Sequence, residues 1–131
     1  MTELPTVVVR KSMCELDLVT DEGTRTFAIS IGSNPDRADK REVGDCRTPE
    51  GRFAVVSVED SSDWDFEGER VYGPLFLRLD CPPWEGIGIH GTNEPARLGG
   101  PASRGCIRMR NEDLLELARV VGVGTVVTIL A

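Results

Sequence analysis

Two side chains in this sequence can pair into a nucleophile and its base. The only histidine, His90, ends the stretch Ile87-Gly88-Ile89 and precedes Gly91, and Cys106 follows within Ser103-Arg104-Gly105-Cys106-Ile107-Arg108-Met109. A thiol of ordinary pKa ~8.5 is only a few per cent thiolate at neutral pH, so it needs a base or a positive field. His90 can supply the base, and Arg104, Arg108 and the start of a nearby helix can supply the field. Gly105 lets the backbone turn sharply, and amides around Gly105 and Cys106 can point at a developing oxyanion. A core cysteine and a strand-end histidine bonded to a carbonyl fit the same spacing equally well.

Cys14, Cys46 and Cys81 read as small buried hydrophobes, and their spacing demands no disulfide. With one histidine and no C-x-x-C pair, neither a structural zinc nor another metal or cofactor is expected. Acidic Glu59, Asp60, Asp63 and Asp65 suit a solvated loop better than a cation site, which needs several converging oxygens. Trp64 and Trp84 are candidates for a binding cleft, though core or loop packing is the commoner role.

The elements that must place His90 and Cys106 are mostly strands. Val7-Val8-Val9 is β-branched, and Cys14 to Leu18 and Thr26 to Ile31 alternate across a turn at Thr20-Asp21-Glu22-Gly23, predicting a hairpin. Polar Ser33 to Gly44 predicts an exposed connection. Thr48-Pro49-Glu50-Gly51 carries turn residues and leads into a strand over Phe53 to Val58. Leu75 to Leu79 and Gly86 to His90 predict two more strands, and Gly91 to Ala102 a long loop of the sort that carries function. One helix is expected from Asn111, read as its N-cap, with Leu114, Leu115, Leu117, Ala118 and Val121 as its apolar stripe. Gly122 and Gly124 stop it, and Thr125 to Leu130 closes the chain as a strand. The fold class is therefore mainly β, a sandwich or partly closed barrel, with one short helix after Cys106, in a single domain over 1–131.

At 131 residues one core is the natural expectation, and a monomer with it. Fifteen Lys and Arg against 22 Asp and Glu give a net charge of −7, which argues against nucleic acid and anionic lipid as partners. No stretch reaches the ~20 apolar residues of a membrane span, and Met1-Thr2-Glu3-Leu4-Pro5 has no signal-peptide character.

The ordered set of segments resembles the L,D-transpeptidase (YkuD-type) catalytic domain family. Ile89-His90-Gly91-Thr92 followed by Ser103-Arg104-Gly105-Cys106-Ile107-Arg108-Met109 is similar to that family's histidine and its Ser/Thr-x-Gly-Cys motif. Arg104 stands where many members have a second histidine, which removes any role for a second imidazole. Thr48-Pro49-Glu50-Gly51-Arg52-Phe53 resembles the family's Thr-Pro-x-Gly-x-Phe hairpin, Tyr72-Gly73 with Leu75 to Leu79 the strand before the histidine, and Gly124 to Val127 the closing strand. The resemblance runs in order from about Val7 to Leu130.

It implies an enzyme of peptidoglycan. Cys106 would attack the carbonyl between a third-position diamino acid and D-alanine of a tetrapeptide stem, and His90 would serve as base and then acid. The thioester would pass to an amine, giving a 3→3 cross-link or exchange of a D-amino acid. Gly91 would hold the other ring nitrogen of His90 through its carbonyl, while Gly105, Arg104 and Ser103 would shape the oxyanion hole and its loop. Arg108 would position a substrate carboxylate or shape the site. Carbapenem-type β-lactams are expected to acylate Cys106. Hydrolysis with the same pair, as an L,D-carboxypeptidase or in releasing a peptidoglycan-attached group, and an inactive domain that binds wall peptide remain as alternatives. The family works in the cell envelope, so that location is expected, with the cytoplasm open for a chain lacking an export signal.

Overall fold

The structure is a computed structural model and describes residues 4–131. Met1, Thr2 and Glu3, part of the expected 1–131 domain and of the stretch read for a signal peptide, lie outside the described residues. The strands are β1 (Thr6–Arg10), β2 (Glu15–Thr20), β3 (Gly23–Gly32), β4 (Gly51–Asp60), β5 (Leu75–Asp80), β6 (Gly88–His90), β7 (Pro101–Ser103), β8 (Ile107–Met109) and β9 (Val126–Leu130). One α-helix, α1 (Asn111–Leu117), lies between β8 and β9.

Hydrogen-bonded neighbours run β2-β1-β9-β4-β5-β6-β8-β3, and β3 pairs back with β2, so eight strands close a barrel. β7 lies outside the ring on β3. The mainly β expectation thus resolves to the barrel rather than the sandwich. Closure matters because it leaves no row of unpaired amides on the ring. β1 and β9 run parallel, joining the two ends of the chain, while β2–β3 and β4–β5 are antiparallel.

The interior is filled by the inward-facing half of each strand, as a barrel this small requires. Val7, Val9, Leu16, Ile29, Leu77, Ile89, Ile107, Met109 and Val127 are sealed from solvent there, and Leu114 and Leu117 of α1 are as deeply buried. One cation is buried with them. Lys11 Nζ donates to Ala38 O at 2.9 Å and Thr48 O at 2.8 Å and pairs with Glu50 Oε2 at 2.9 Å, which satisfies an ammonium that burial would otherwise penalise.

Four details differ from the sequence reading. The loop over Gly91 to Ala102 contains a 3₁₀ turn at Pro95–Arg97 and enters β7 at Pro101. A strand, β8, separates Cys106 from the helix, so the helix start is not beside the thiol. Arg110, not Asn111, occupies the cap position, and no side chain caps the helix. All four cysteines are free thiols; Cys14 and Cys81 are buried, but Cys46 is only half-buried, on a loop.

Candidate active site

β6 and β8 are parallel neighbours with Ile89 opposite Ile107 and His90 opposite Arg108. Ile89 and Ile107 point into the core, so His90 and Arg108 stand on the outer face of the barrel wall. The same alternation carried one step back places Cys106 on the face of Arg108. β5 continues this face, since Phe76 is opposite His90 and Arg78 opposite Gly88 while Leu77 and Leu79 point inward. Gly88 is required there: a Cβ would come within 2.5 Å of the Phe76 ring and 2.6 Å of Leu77 O.

His90 is 3% exposed although it faces outward. Phe76 stacks on its ring with centroids 5.6 Å apart, and Tyr72 meets it edge-on at 5.1 Å. Nδ1 lies 2.7 Å from Gly91 O. A carbonyl only accepts, so Nδ1 carries the proton and Nε2 keeps a lone pair. Burial pulls the imidazole down to about 4, with the Arg108 charge adding to that effect and the carbonyl bond opposing it. The ring is therefore neutral at pH 7. Gly91 is held in turn by its N–H on Tyr72 O at 2.9 Å, and Thr92 N–H donates to Asn111 Oδ1 at 2.9 Å.

The turn carrying Cys106 is pinned from within. Ser103 Oγ donates to Cys106 O at 2.5 Å and accepts from Gly105 N–H at 3.1 Å. Gly105 sits at φ +141°, and its carbonyl accepts from Thr48 Oγ1 at 2.8 Å. The Gly105 amide is thus committed to Ser103, whereas no hydrogen bond holds the Cys106 amide among the described residues. Cys106 Sγ donates to Gly86 O at 3.2 Å. Desolvation raises its pKa, and a backbone bond from Gly88, followed by the charges of Arg108, Arg78 and Lys40, only partly offsets that. The resting pair is therefore thiol and neutral imidazole.

Cys106 lines two hollows. The larger, about 430 Å³, is walled by Lys40, Trp64, Phe76, Arg78 and Trp84, and the smaller, about 130 Å³, by His90, Ser103, Arg108 and Phe66. Tyr72 and Arg104 border both. Trp64 and Trp84 are thus cleft aromatics that also pack, Trp64 against Tyr72 and Phe76 and Trp84 against the core. Arg104 is largely exposed, with its guanidinium 4.3 Å above the Phe66 ring, so it braces the cleft rim. Arg108 Nε is buried with no hydrogen-bond partner among the described residues. A hollow of about 550 Å³ between β2, β3 and α1 is roomier, but neither cysteine nor histidine lines it.

Tyr72, Phe76, Thr48 and Asn111 were not singled out for the site by sequence reasoning. Phe76 carried a signal: in Leu75 to Asp80 it is out of phase with inward Leu77 and Leu79, so it had to share a face with the neighbouring strand's outer residues.

Residues 5–129 match the family described as the L,D-transpeptidase catalytic domain. A Bacillus subtilis protein named as the L,D-transpeptidase YkuD is 36% identical over 109 residues, covering 82% of this chain and 61% of that protein. Another from the same organism, named as the L,D-transpeptidase YqjB, is 31% identical over 134 residues, covering 95% of this chain and 70% of the relative. The chain thus spans about three-fifths of the length of the first of these relatives. In three dimensions it is similar to L,D-transpeptidase 3 from Mycobacterium tuberculosis, solved with a faropenem-derived adduct. The TM-score is 0.74 at 20% identity, covering 96% of this chain and 60% of that one, a likeness that speaks for the fold.

Proposed function

The chain belongs to the L,D-transpeptidase catalytic-domain family, and on that premise we propose that it is a cysteine acyltransferase acting on peptidoglycan stem peptides. The observation that carries the proposal is a neutral His90, its Nδ1–H fixed on Gly91 O, sharing a hollow with the Cys106 thiol. Such a ring needs no acidic partner to set its tautomer.

The thiol proton passes to His90 Nε2 as Sγ attacks the carbonyl between the third-position diamino acid and D-alanine. The oxyanion forms beside the Cys106 amide. The C–N bond then breaks, His90 returns the proton to the departing D-alanine amine, and a thioester remains. An acceptor amine attacks that thioester, giving up a proton through His90 to the leaving sulfur. Cys106 borders a hollow on each side, which suits a donor on one and an acceptor on the other. Arg108, which lines the smaller hollow, positions a substrate carboxylate through its guanidinium. The place of work is the peptidoglycan of the cell envelope, and carbapenem-type β-lactams acylate Cys106 through their ring carbonyl.

Intact-mass analysis after incubation with a tetrapeptide muropeptide, with and without an added D-amino acid, tests this. Loss of D-alanine with incorporation of the added amine is expected, and Cys106→Ala is expected to lose both while still folding. Loss of D-alanine without incorporation would make the protein a hydrolase. An unchanged muropeptide, or full activity in Cys106→Ala, would overturn the reading.

A further inference from the structure

The hydroxyl of Thr48 lies outside the pair that does the chemistry, yet it is the side chain that grips the Cys106 turn from the barrel. Thr48 is 2% exposed, in the connection that leads into β4. Oγ1 accepts from Gly32 N–H at 2.9 Å, at the end of β3, and donates to Gly105 O at 2.8 Å. The carbonyl can only accept, so the hydroxyl hydrogen has a single place to go. Thr48 is itself held, because buried Lys11 Nζ bonds its carbonyl at 2.8 Å. The preceding backbone packs against both of its partners: a Cβ at Gly105 would stand 3.1 Å from Arg47 O, and one at Gly32 would fall 2.2 Å from Cys46 O.

A peptide unit is planar and trans, so its C=O and N–H point in opposite directions. Holding Gly105 O on Thr48 therefore aims the Cys106 N–H away from Thr48 and fixes the plane in which it lies. The Gly105 N–H is already bonded to Ser103 Oγ. No such bond ties up the Cys106 amide among the described residues, so it is free to meet an oxyanion, and Thr48 sets its direction.

We infer that Thr48 is a positioning residue for acyl transfer, its hydroxyl orienting the Gly105–Cys106 peptide so that the Cys106 amide meets the oxyanion. The inference rests on the acyl-transfer reading above. It separates two reactions of one sulfur. Acylation by imipenem builds an oxyanion and needs that amide, whereas alkylation by iodoacetamide is a displacement at carbon and builds none.

The test measures both rates at Cys106 by mass spectrometry with peptide mapping, in the wild type, Thr48→Val and Thr48→Ser. Thr48→Val keeps the shape and loses the hydroxyl, and is expected to acylate at least about tenfold more slowly, less than the roughly 10²–10³-fold cost of losing an oxyanion donor outright because the amide is misaimed and not removed. Its alkylation rate should stay within about threefold of wild type, and Thr48→Ser should restore acylation to about the same margin. Protection of buried Cys14 and Cys81 from iodoacetamide reports that each variant is folded. Thr48→Val acylating like wild type, both rates falling together, or Thr48→Ser failing as Thr48→Val does would each overturn the inference. A wild-type protein that is alkylated but never acylated would overturn the acyl-transfer reading with it.

Discussion

His90 is held by groups that carry no formal charge, a carbonyl at Nδ1 and aromatic rings against its faces and edge. A carboxylate in the place of Gly91 O would raise the imidazole pKa, whereas burial here lowers it to about 4. Burial pushes the Cys106 thiol above its ordinary range, so the neutral pair persists across the physiological range. Imipenem acylation followed against pH should therefore stay level from about pH 6 to 8 and fall by half near pH 4. A half-point near 6.5 would mean that His90 titrates as a free imidazole. The same shift acts on stability. The unfolded chain takes up the His90 proton near 6.5 and the folded one only near 4, so lowering the pH through that window favours unfolding. Urea titrations at several pH values should show this slope in the wild type and lose the His90 share of it in His90→Gln.

The loops around His90 and Cys106 depend on elements distant in sequence. Asn111 is the first residue of α1, but its Oδ1 accepts from Thr92 N–H and lies where a Cβ on Gly91 or Gly73 would collide with it. Asn111→Ala removes that acceptor. It should cost about 1–2 kcal/mol of stability by denaturant melt and slow acylation about tenfold, with alkylation of Cys106 unchanged; a stability loss alone would make Asn111 a purely structural tie. Most strands were legible because β-branched and alternating runs are long enough to carry a period, as in Thr26 to Ile31. β7 and β8 have three residues each and were too short for one. Asn-Glu-Asp reads locally as a helix start, and nothing local reveals that Thr92 claims the Asn111 oxygen. Residue type and resemblance nominate His90 and Cys106, and the fold brings both to one hollow. The contributions of Tyr72, Phe76 and Thr48 came from register and from contacts between distant segments.

Across the whole molecule, the hydrophobic core and the candidate site occupy opposite faces of one wall. The ring of eight strands places β8 directly across from β9, and the core side chains of both point into a shared interior. Ile89 lies on β6 beneath the site, paired with Ile107, and Ile129 lies on β9 between β1 and β4. Both are sealed from solvent. Truncating either to alanine deletes the same atoms from the core and should cost about 2–4 kcal/mol in a denaturant melt. Their effects on chemistry should differ. Ile89→Ala loosens the strand that sets His90 beside the Cys106 turn, so acylation by imipenem should slow well below the melting range. Ile129→Ala empties space on the far arc, where the hydrogen-bonded ladders of β4 and β1 keep their register, so acylation should keep its wild-type rate. Equal slowing in both variants would mean that the closed barrel positions the thiol and imidazole as one rigid body. A rate loss confined to Ile89→Ala would assign that task to the β5–β6–β8 segment of the wall, leaving the β1–β9–β4 side to hold the ring shut.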